Sequence, residues 1–576
     1  MAGFLFTPKA LYSIAQGRES SSAPWVTSAD RMREGRPGCA KVAQGGAKVA
    51  QGGAREARVP PWAIEYNAFG VKPKTPSNSL ARFAPPWPSG TLKAFPRSAV
   101  MSRRVLLPIL LLGSLALGVA MTLTLTGRTQ RPAQVKSATG NVRDFGAKGE
   151  YIDDTEAIQK AVDAAHHSGI VFFPRDTYRL TKTITVDLTK TGPIAIKGDG
   201  ARVVMAGEGP AFKFVGTHAG TAEPKSVKRD VWNERMPTVE GIEIVGEHEN
   251  ADGIEASGTM QLIITRVLIR KCRHGIHLTG RNRNVIISDS HIYENRGIGV
   301  FLDAVNLHQI NVTGCHVSYC DGGGIVCRAG EVRNLQITGC DIESNHGANG
   351  PPTANVLIDS SGGSNAEVAI TGCTVQHNHV APGSANIRIT GPSEKKAKDT
   401  DEMRDGHVTI TGNVLSDVKV NVHLDHARGV VMTGNTCWTA YEHNLLVEHS
   451  TAVTIGPNNF DRNPRYASEE KPETTNDIVF RDCTDCSLTG FTISRVRAAP
   501  AGVTLERCDR FNVGNLTILD CDSVGLLLKD VTRSRVGGCL IRDDRPKATS
   551  QPLKVVGGKG NTIEGFVPEP GGPKEP

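Results

Sequence analysis

Residues 309–317 read QINVTGCHV, residues 334–342 NLQITGCDI and residues 407–415 HVTITGNVL. Each stretch alternates apolar and polar residues as a half-buried strand does. It then reaches Thr-Gly, places a Cys or Asn after the glycine, and resumes with a second short apolar stretch. Related forms run along the chain: NVIISDSHI (284–292), EVAITGCTV (367–375), VVMTGNTCW (430–438), AVTIGPNNF (452–460), CSLTGFTI (486–493), FNVGNLTI (511–518) and a degenerate SRVGGCLI (534–541). Gly314 and Gly339 lie 25 residues apart, Gly412, Gly434 and Gly456 are spaced by 22, and Gly490, Gly514 and Gly538 by 24. A coil of three short strands and their turns needs about 20–29 residues. The wider gaps, near 340–412 and 457–490, mark inserted loops.

Between these units a second motif recurs: DGIEA, HGIHL, GVFLD, GGIVC, ANVLI, ANIRI, VNVHL, HNLLV, AGVTL and VGLLL. Its flanking aliphatics point inward and stack on the next coil, and its central residue points outward. Each inward aliphatic contributes roughly 1.5–3 kcal/mol of burial, so the stack rather than any single coil supplies the stability. The pattern predicts an all-β chain: a right-handed parallel β-helix solenoid over residues 141–565. A leucine-rich repeat would need an LxxLxL frame, and a sandwich would not keep one period through ten copies. Cys315, Cys340, Cys373, Asn413 and Asn435 share one position at a bend. There Asn can hydrogen-bond its neighbours and a buried Cys fills the same space.

Residues 141–180 read NVRDFGAKGEYIDDTEAIQKAVDAAHHSGIVFFPRDTYRL. Asp153 or Asp154 caps a helix whose apolar face is Ala157, Ile158, Ala161, Val162 and Ala165. Gly169 ends the helix, and Ile170–Phe173 is a buried strand stopped by Pro174. The short helix covers the open end of the first coil. The stretches VRDFGAKG, DDTEAIQKAV and VFFP…Y resemble the start of the pectate-lyase-superfamily domain of rhamnogalacturonase-like and epimerase-like proteins. Glu150-Tyr151 and Arg175-Asp176 depart from that pattern. The resemblance implies the fold, with polysaccharide as the expected substrate class.

Upstream, MSRRVLLPILLLGSLALGVAM (101–121) has a basic n-region, an apolar h-region and small residues near Gly118-Val119-Ala120, as a secretory signal peptide does. Alternatively Val105 to about Thr126 is a single membrane anchor, with Arg103 and Arg104 on the cytoplasmic side. Residues 1–100 carry no periodic pattern and are read as disordered or as over-extended translation. Residues 127–140 are a linker, and 566–576 (VPEPGGPKEP from Val567) a disordered tail. Either reading of 101–126 puts the repeats outside the cytoplasm: secreted, periplasmic or at the cell surface.

The chain is 22% charged with a net charge of +7 over 576 residues and has no long basic run, which argues against nucleic acid as a partner. The thirteen cysteines include Cys483-Thr-Asp-Cys486, which lacks the second pair of a zinc site. There is no GxGxxG after a strand and no P-loop.

The central outward positions are Glu255, His277, Phe301, Val326, Leu357, Arg388, His423, Leu446, Thr504 and Leu527. Glu255 and His277 should be neighbours, a carboxylate beside an imidazole, suited to acid–base chemistry. Asp303 falls one coil beyond His277. With Glu255 it would give two carboxylates flanking a groove, as glycoside hydrolysis requires. Asp303, Asp359, Asp425 and Glu448 recur at equivalent positions, where turn capping is the blander role. Arg388, His423, Asp359 and Asp425 extend the row as candidate substrate-binding residues. His291, Glu294, His316 and Asp321 are further polar groups nearby in sequence. A uronan lyase would add calcium, although no DxDxD-type loop is present. The aliphatic central residues Val326, Leu357, Leu446 and Leu527 favour a different role, a non-catalytic glycan-binding or envelope scaffold, or else coverage by loops, and the near absence of aromatics from the row argues against strong sugar binding on that face. The pattern assigns no metal ligands and no oligomeric state.

Overall fold

The computed structural model describes residues 140–220, 223–391, 406–462 and 474–565. The expectations for residues 1–100, 101–126, the linker up to residue 139 and the tail 566–576 lie outside the described residues. Everything described belongs to one compact unit, Leu123–Pro576.

The chain winds as a right-handed parallel β-helix. One coil contributes Arg281–Ser288 to a first face, His291–Tyr293 to a second and Ile298–Asp303 to a third. The next supplies Asn306–Thr313, His316–Ser318 and Gly323–Arg328. Strand pairing among the described residues is parallel, and through these coils it stays in step: Val285↔Ile310↔Leu335 on the first face, Ile292↔Val317↔Ile342 on the second, Val300↔Ile325↔Val356 on the third. These residues are buried and belong to one continuous core.

Between the first and second faces the chain turns through a left-handed residue. Gly314, Gly339, Gly372, Gly412 and Gly434 hold φ of 60° to 69° there. At Gly339 and Gly372 nothing lies within 4 Å of where a Cβ would sit, so the dihedral rather than crowding selects glycine. Asp289 and Asn515 take the same corner with φ of 49° and 56°, since short polar side chains tolerate this region.

The structure corrects the sequence count in two coils. Gly456 pairs in line with Thr433, so the corner equivalent to Gly434 is Pro457, whose carbonyl accepts from the Gly434 N–H at 2.6 Å. Gly514 aligns with Thr489 and Gly537, so the corner residues are Gly490, Asn515 and Gly538. The regular glycine spacing there mixed two adjacent positions.

The shared Cys/Asn position is an internal ladder. Cys315, Cys340 and Cys373 are buried free thiols. Asn413 Nδ2 donates to Asn435 Oδ1 at 3.0 Å, and Asn435 Nδ2 to Asn458 Oδ1 at 2.9 Å, while Asn413 Oδ1 accepts from the Cys373 N–H at 2.9 Å. A second ladder enters the third face: Asn345, Asn355, Asn386, Asn421 and Asn444, each amide donating to the next at 2.8–2.9 Å.

At the N-terminal end of the solenoid, the helix Thr155–Asp163 buries Ile158, Ala161 and Val162 against the first coil, with Ala165 buried just beyond it. The Asp153 carboxylate accepts from Thr155 N (3.1 Å) and Oγ1 (2.6 Å), whereas Asp154 accepts from the Lys148 and Gly149 amides. Cap and loop anchor are thus divided between two adjacent aspartates.

Candidate functional site

The outward row of the third face runs in the expected order, and the structure adds members to it. Lys213, in Gly209–Val215, pairs with Glu255, which pairs with His277, then Phe301, Val326, Leu357, Arg388, His423 and Leu446. Val479 then precedes Thr504 and Leu527.

Glu255 Oε1 lies 2.9 Å from Lys213 Nζ, with the glutamate 17% and the lysine 41% exposed. His277 Nε2 lies 3.1 Å from Asp303 Oδ2, with side chains 14% and 43% exposed. The His277 ring stacks on Phe301 with centroids 5.1 Å apart and planes 6° from parallel, and its buried Nδ1 has no protein hydrogen-bond partner. The three residues singled out as catalytic therefore sit on successive coils, Glu255 paired with Lys213 and His277 in contact with Asp303. Lys213 was missed because the row was started at Glu255, although Ala211-Phe212-Lys213-Phe214 shows the same apolar–charged–apolar signal.

His274 adjoins this group, its ring 5.3 Å from His277 and 5.2 Å from Phe301. Burial pushes it down to about 4, and its Nδ1 accepts from the Ile298 N–H at 3.2 Å, so at neutral pH it is an uncharged wall. Arg273 is held by Asp252, which is almost fully buried and also accepts from the His274 N–H at 2.9 Å. The arrangement offers a lysine and a carboxylate, then an imidazole and a carboxylate, over an aromatic floor. It can hold an anionic or hydroxyl-rich ligand and shuttle a proton.

Further along, the row is covered. Val326 is 0% exposed, and Phe301, Leu357, Leu446 and Val479 belong with Ile298, Ala354, Ala385 and Val420 to a second apolar cluster on the outward side. Two loops, residues 344–353 and 377–384, close over this stretch. Arg388 Nη1 donates to Thr353 O at 3.2 Å, its Nη2 to Gly383 O at 2.6 Å and its Nε to His423 Nδ1 at 3.2 Å. His346 Nε2 meets Ala385 O at 3.0 Å. His423 Nε2 reaches Glu448 Oε2 at 3.3 Å, and burial lowers its pKa. Arg388 and His423 are thus engaged with protein partners beneath loops.

Asp359 and Asp425 do share a row with Asp303, through Arg328 and Thr390. Asp359 Oδ1 accepts from the Ser361 N–H at 2.9 Å, the turn-capping role. Asp425 Oδ1 meets His426 Nδ1 at 2.8 Å and His449 Nδ1 at 3.0 Å. His291 and His316 stand on the second face, in line with Asp341. Glu294 and Asp321 lie at corners.

Fold and repeats together define a pectate-lyase-like right-handed parallel β-helix. Three family models match successive stretches: "Rhamnogalacturonase A/epimerase, pectate lyase-like" over residues 139–235, "Right handed beta helix region" over 233–375 and "Periplasmic copper-binding protein (NosD)" over 365–563. A curated relative, alginate lyase 7 of Azotobacter vinelandii, is 44% identical over 72 residues. That is 12% of this chain, and the match spans 8% of the relative's length. Among solved structures, the A-module of the Azotobacter vinelandii mannuronan C-5 epimerase AlgE4 is 14% identical with a TM-score of 0.38, the match covering 74% of this chain and 98% of that one. The pre-mature bacteriophage phi29 gene product 12 is 13% identical with a TM-score of 0.43, covering 78% and 58%.

Proposed function

We propose that this chain acts on an extracellular polysaccharide at the part-exposed stretch of the third face around Lys213, Glu255, His277 and Asp303, by lyase or glycoside-hydrolase chemistry. The observation that carries the reading is the part-exposed His277–Asp303 contact beside the Lys213–Glu255 pair, on a row whose other charged stretch, Arg388 and His423, is covered by loops. In a lyase, His277 takes the proton alpha to a uronate carboxylate and Lys213 neutralises that carboxylate. The C4–O4 bond then breaks as the C4–C5 double bond forms, and the leaving O4 oxygen takes up a proton, from water or the one His277 has accepted; calcium would be an added cation. In a hydrolase, Glu255 and Asp303 divide the acid and base roles. The family description naming a rhamnogalacturonase and an epimerase, and the short alginate-lyase match, support a carbohydrate substrate. The description of a periplasmic protein supports a place outside the cytoplasm, whether secreted, periplasmic or at the cell surface. Among the described residues no helix is long and apolar enough to cross a membrane.

The second reading, a non-catalytic glycan-binding or envelope scaffold, is favoured by the covered apolar stretch from Val326 to Val479. The deciding experiment incubates the full chain with a panel of polysaccharides, with and without calcium, and follows reducing ends and unsaturated products. Products lost in a Glu255→Gln/His277→Asn/Asp303→Asn variant support the enzyme. Undiminished activity in that variant rejects the site. Binding without products from the native chain favours the scaffold.

A further inference from the structure

Four coils beyond Asp303 (~19 Å at the usual strand spacing), Asp425 carries a histidine on each side of one carboxylate oxygen. His426 follows the strand Val418–Asp425, and His449 follows Ala440–Glu448 one coil on. Both hold the left-handed corner, with φ of 51° and 48°. The backbone ladder fixes their stagger: the His426 N–H donates to Glu448 O at 3.1 Å and the His449 N–H to Arg481 O at 3.0 Å. Their imidazoles stack 4.7 Å apart with planes 21° from parallel. One nitrogen of each and one oxygen of Asp425 all lie within 4.8 Å of one another.

We infer that Asp425, His426 and His449 form a binding site for a divalent late transition ion, of the Zn²⁺, Ni²⁺ or Cu²⁺ class. Two imidazoles and a carboxylate suit these ions, whereas Ca²⁺ and Mg²⁺ need all-oxygen shells. A tetrahedral ion with bonds of about 2.0–2.1 Å needs ligand atoms about 3.3 Å apart. The two Nδ1–Oδ1 separations of 2.8 and 3.0 Å are therefore a few tenths short, an opening that small side-chain rotations provide. All three side chains are reachable, at 25%, 31% and 45% exposure for His426, Asp425 and His449. Arg481, two coils along the row from Asp425, is neutralised by Glu448 at 3.0 Å and Glu506 at 3.7 Å. Asp482, next along the same corner, is paired with Arg507 at 2.8 Å. Three protein ligands leave a further coordination position for water or an exogenous group. The inference stands on these donor atoms and is independent of the polysaccharide reading.

The test uses the full chain stripped with chelator. Cobalt(II) titration should give visible absorption in the d–d region at one equivalent, displaced by Zn²⁺ and unaffected by excess Ca²⁺. His426→Asn and His449→Asn, chosen because Asn tolerates the left-handed corner, should each weaken Zn²⁺ binding by calorimetry more than about 100-fold, beyond the usual effect of losing an outer-shell partner. A His291→Asn/His316→Asn variant, on the other histidine pair, should bind as the native chain does. The proposal is overturned if none of Zn²⁺, Ni²⁺ and Cu²⁺ binds below about 1 mM. Stoichiometric binding that survives in a folded His426→Asn/His449→Asn double variant overturns it equally.

Discussion

The outward row of the third face carries a charged residue beside a histidine twice, Glu255 with His277 and Arg388 with His423, and the two stretches have opposite fates. At the first, the turns flanking Glu255 and His277 are short, and Lys213 with Glu255 and His277 with Asp303 pair at the surface. At the second, insertions of several residues fold over the row, and the Arg388 guanidinium is consumed by two loop carbonyls and a histidine. The outward position at Arg388 is thus covered by the loops that flank it. Charge on this row means either a ligand site or a clamp, according to loop length.

Replacing His277 is the sharpest way to break this contrast. In the proposed reaction its imidazole does the acid–base work, a contribution of about 10²–10⁴-fold in rate. His277→Asn should therefore lower turnover on the cleaved polysaccharide by that factor with the melting temperature nearly unchanged. A variant as active as the native chain would place the chemistry elsewhere.

Arg388 tests the other end. Arg388→Met leaves Thr353 O and Gly383 O without their donors, a cost of about 1.5–3 kcal/mol for hydrogen bonds from a charged group. Stability should fall by that amount, and hydrogen exchange should rise in residues 344–353 and 377–384. Turnover per folded molecule should hold. Lost turnover without destabilisation would restore Arg388 as a substrate ligand.

The fold was legible because each coil repeats both an apolar alternation and a corner demanding a left-handed residue, and both leave marks in sequence. The neighbours Glu255 and His277 were legible for the same reason, since equal positions in successive repeats stack. What escaped depends on coils of unequal length. The wide gap at 340–412 announced inserted loops, which made coverage of Val326 and Leu357 one reading of those residues, but the insertions after Glu343 and Gln376 have no periodic signal to say where they fold. The Asn355–Asn386–Asn421–Asn444 ladder was visible in ANVLI, ANIRI, VNVHL and HNLLV but passed as strand flanks. His426 and His449 sit one coil apart, immediately after the singled-out Asp425 and Glu448. The same repeat alignment would have found them had the corner residue been read as a row of its own.

Acid should separate the two stretches more gently. Burial holds His346 down at about 4 against an ordinary 6.5. The unfolded chain therefore takes up this proton at higher pH than the folded one. Stability from this group is complete above pH 6.5 and declines as pH falls towards 4. His274 follows the same sign at the open end. Denaturant midpoints measured between these pH values should fall with acid, and His346→Gln should flatten that slope together with acid-induced exchange in residues 344–353. His274→Gln should flatten the slope while leaving exchange in those loop residues as it was. A slope unchanged in both variants would assign acid sensitivity to other groups.

The smallest effect is expected at Lys213, the residue that extends the row. Its ammonium is substantially exposed, so the ion pair with Glu255 is screened and contributes only about 0–1 kcal/mol to stability. Lys213→Met keeps the aliphatic stem packed along the face while removing the charge. Denaturation midpoints should barely move. If the ligand is a uronan, KM should rise severalfold and the rise should shrink in high salt, because the lost term is a screened attraction to a carboxylate. A neutral glycan would show no such salt-dependent change. One conservative substitution on the open stretch therefore reports the charge of the sugar, and the matching experiment at Arg388 cannot, because that guanidinium already faces carbonyls of its own chain.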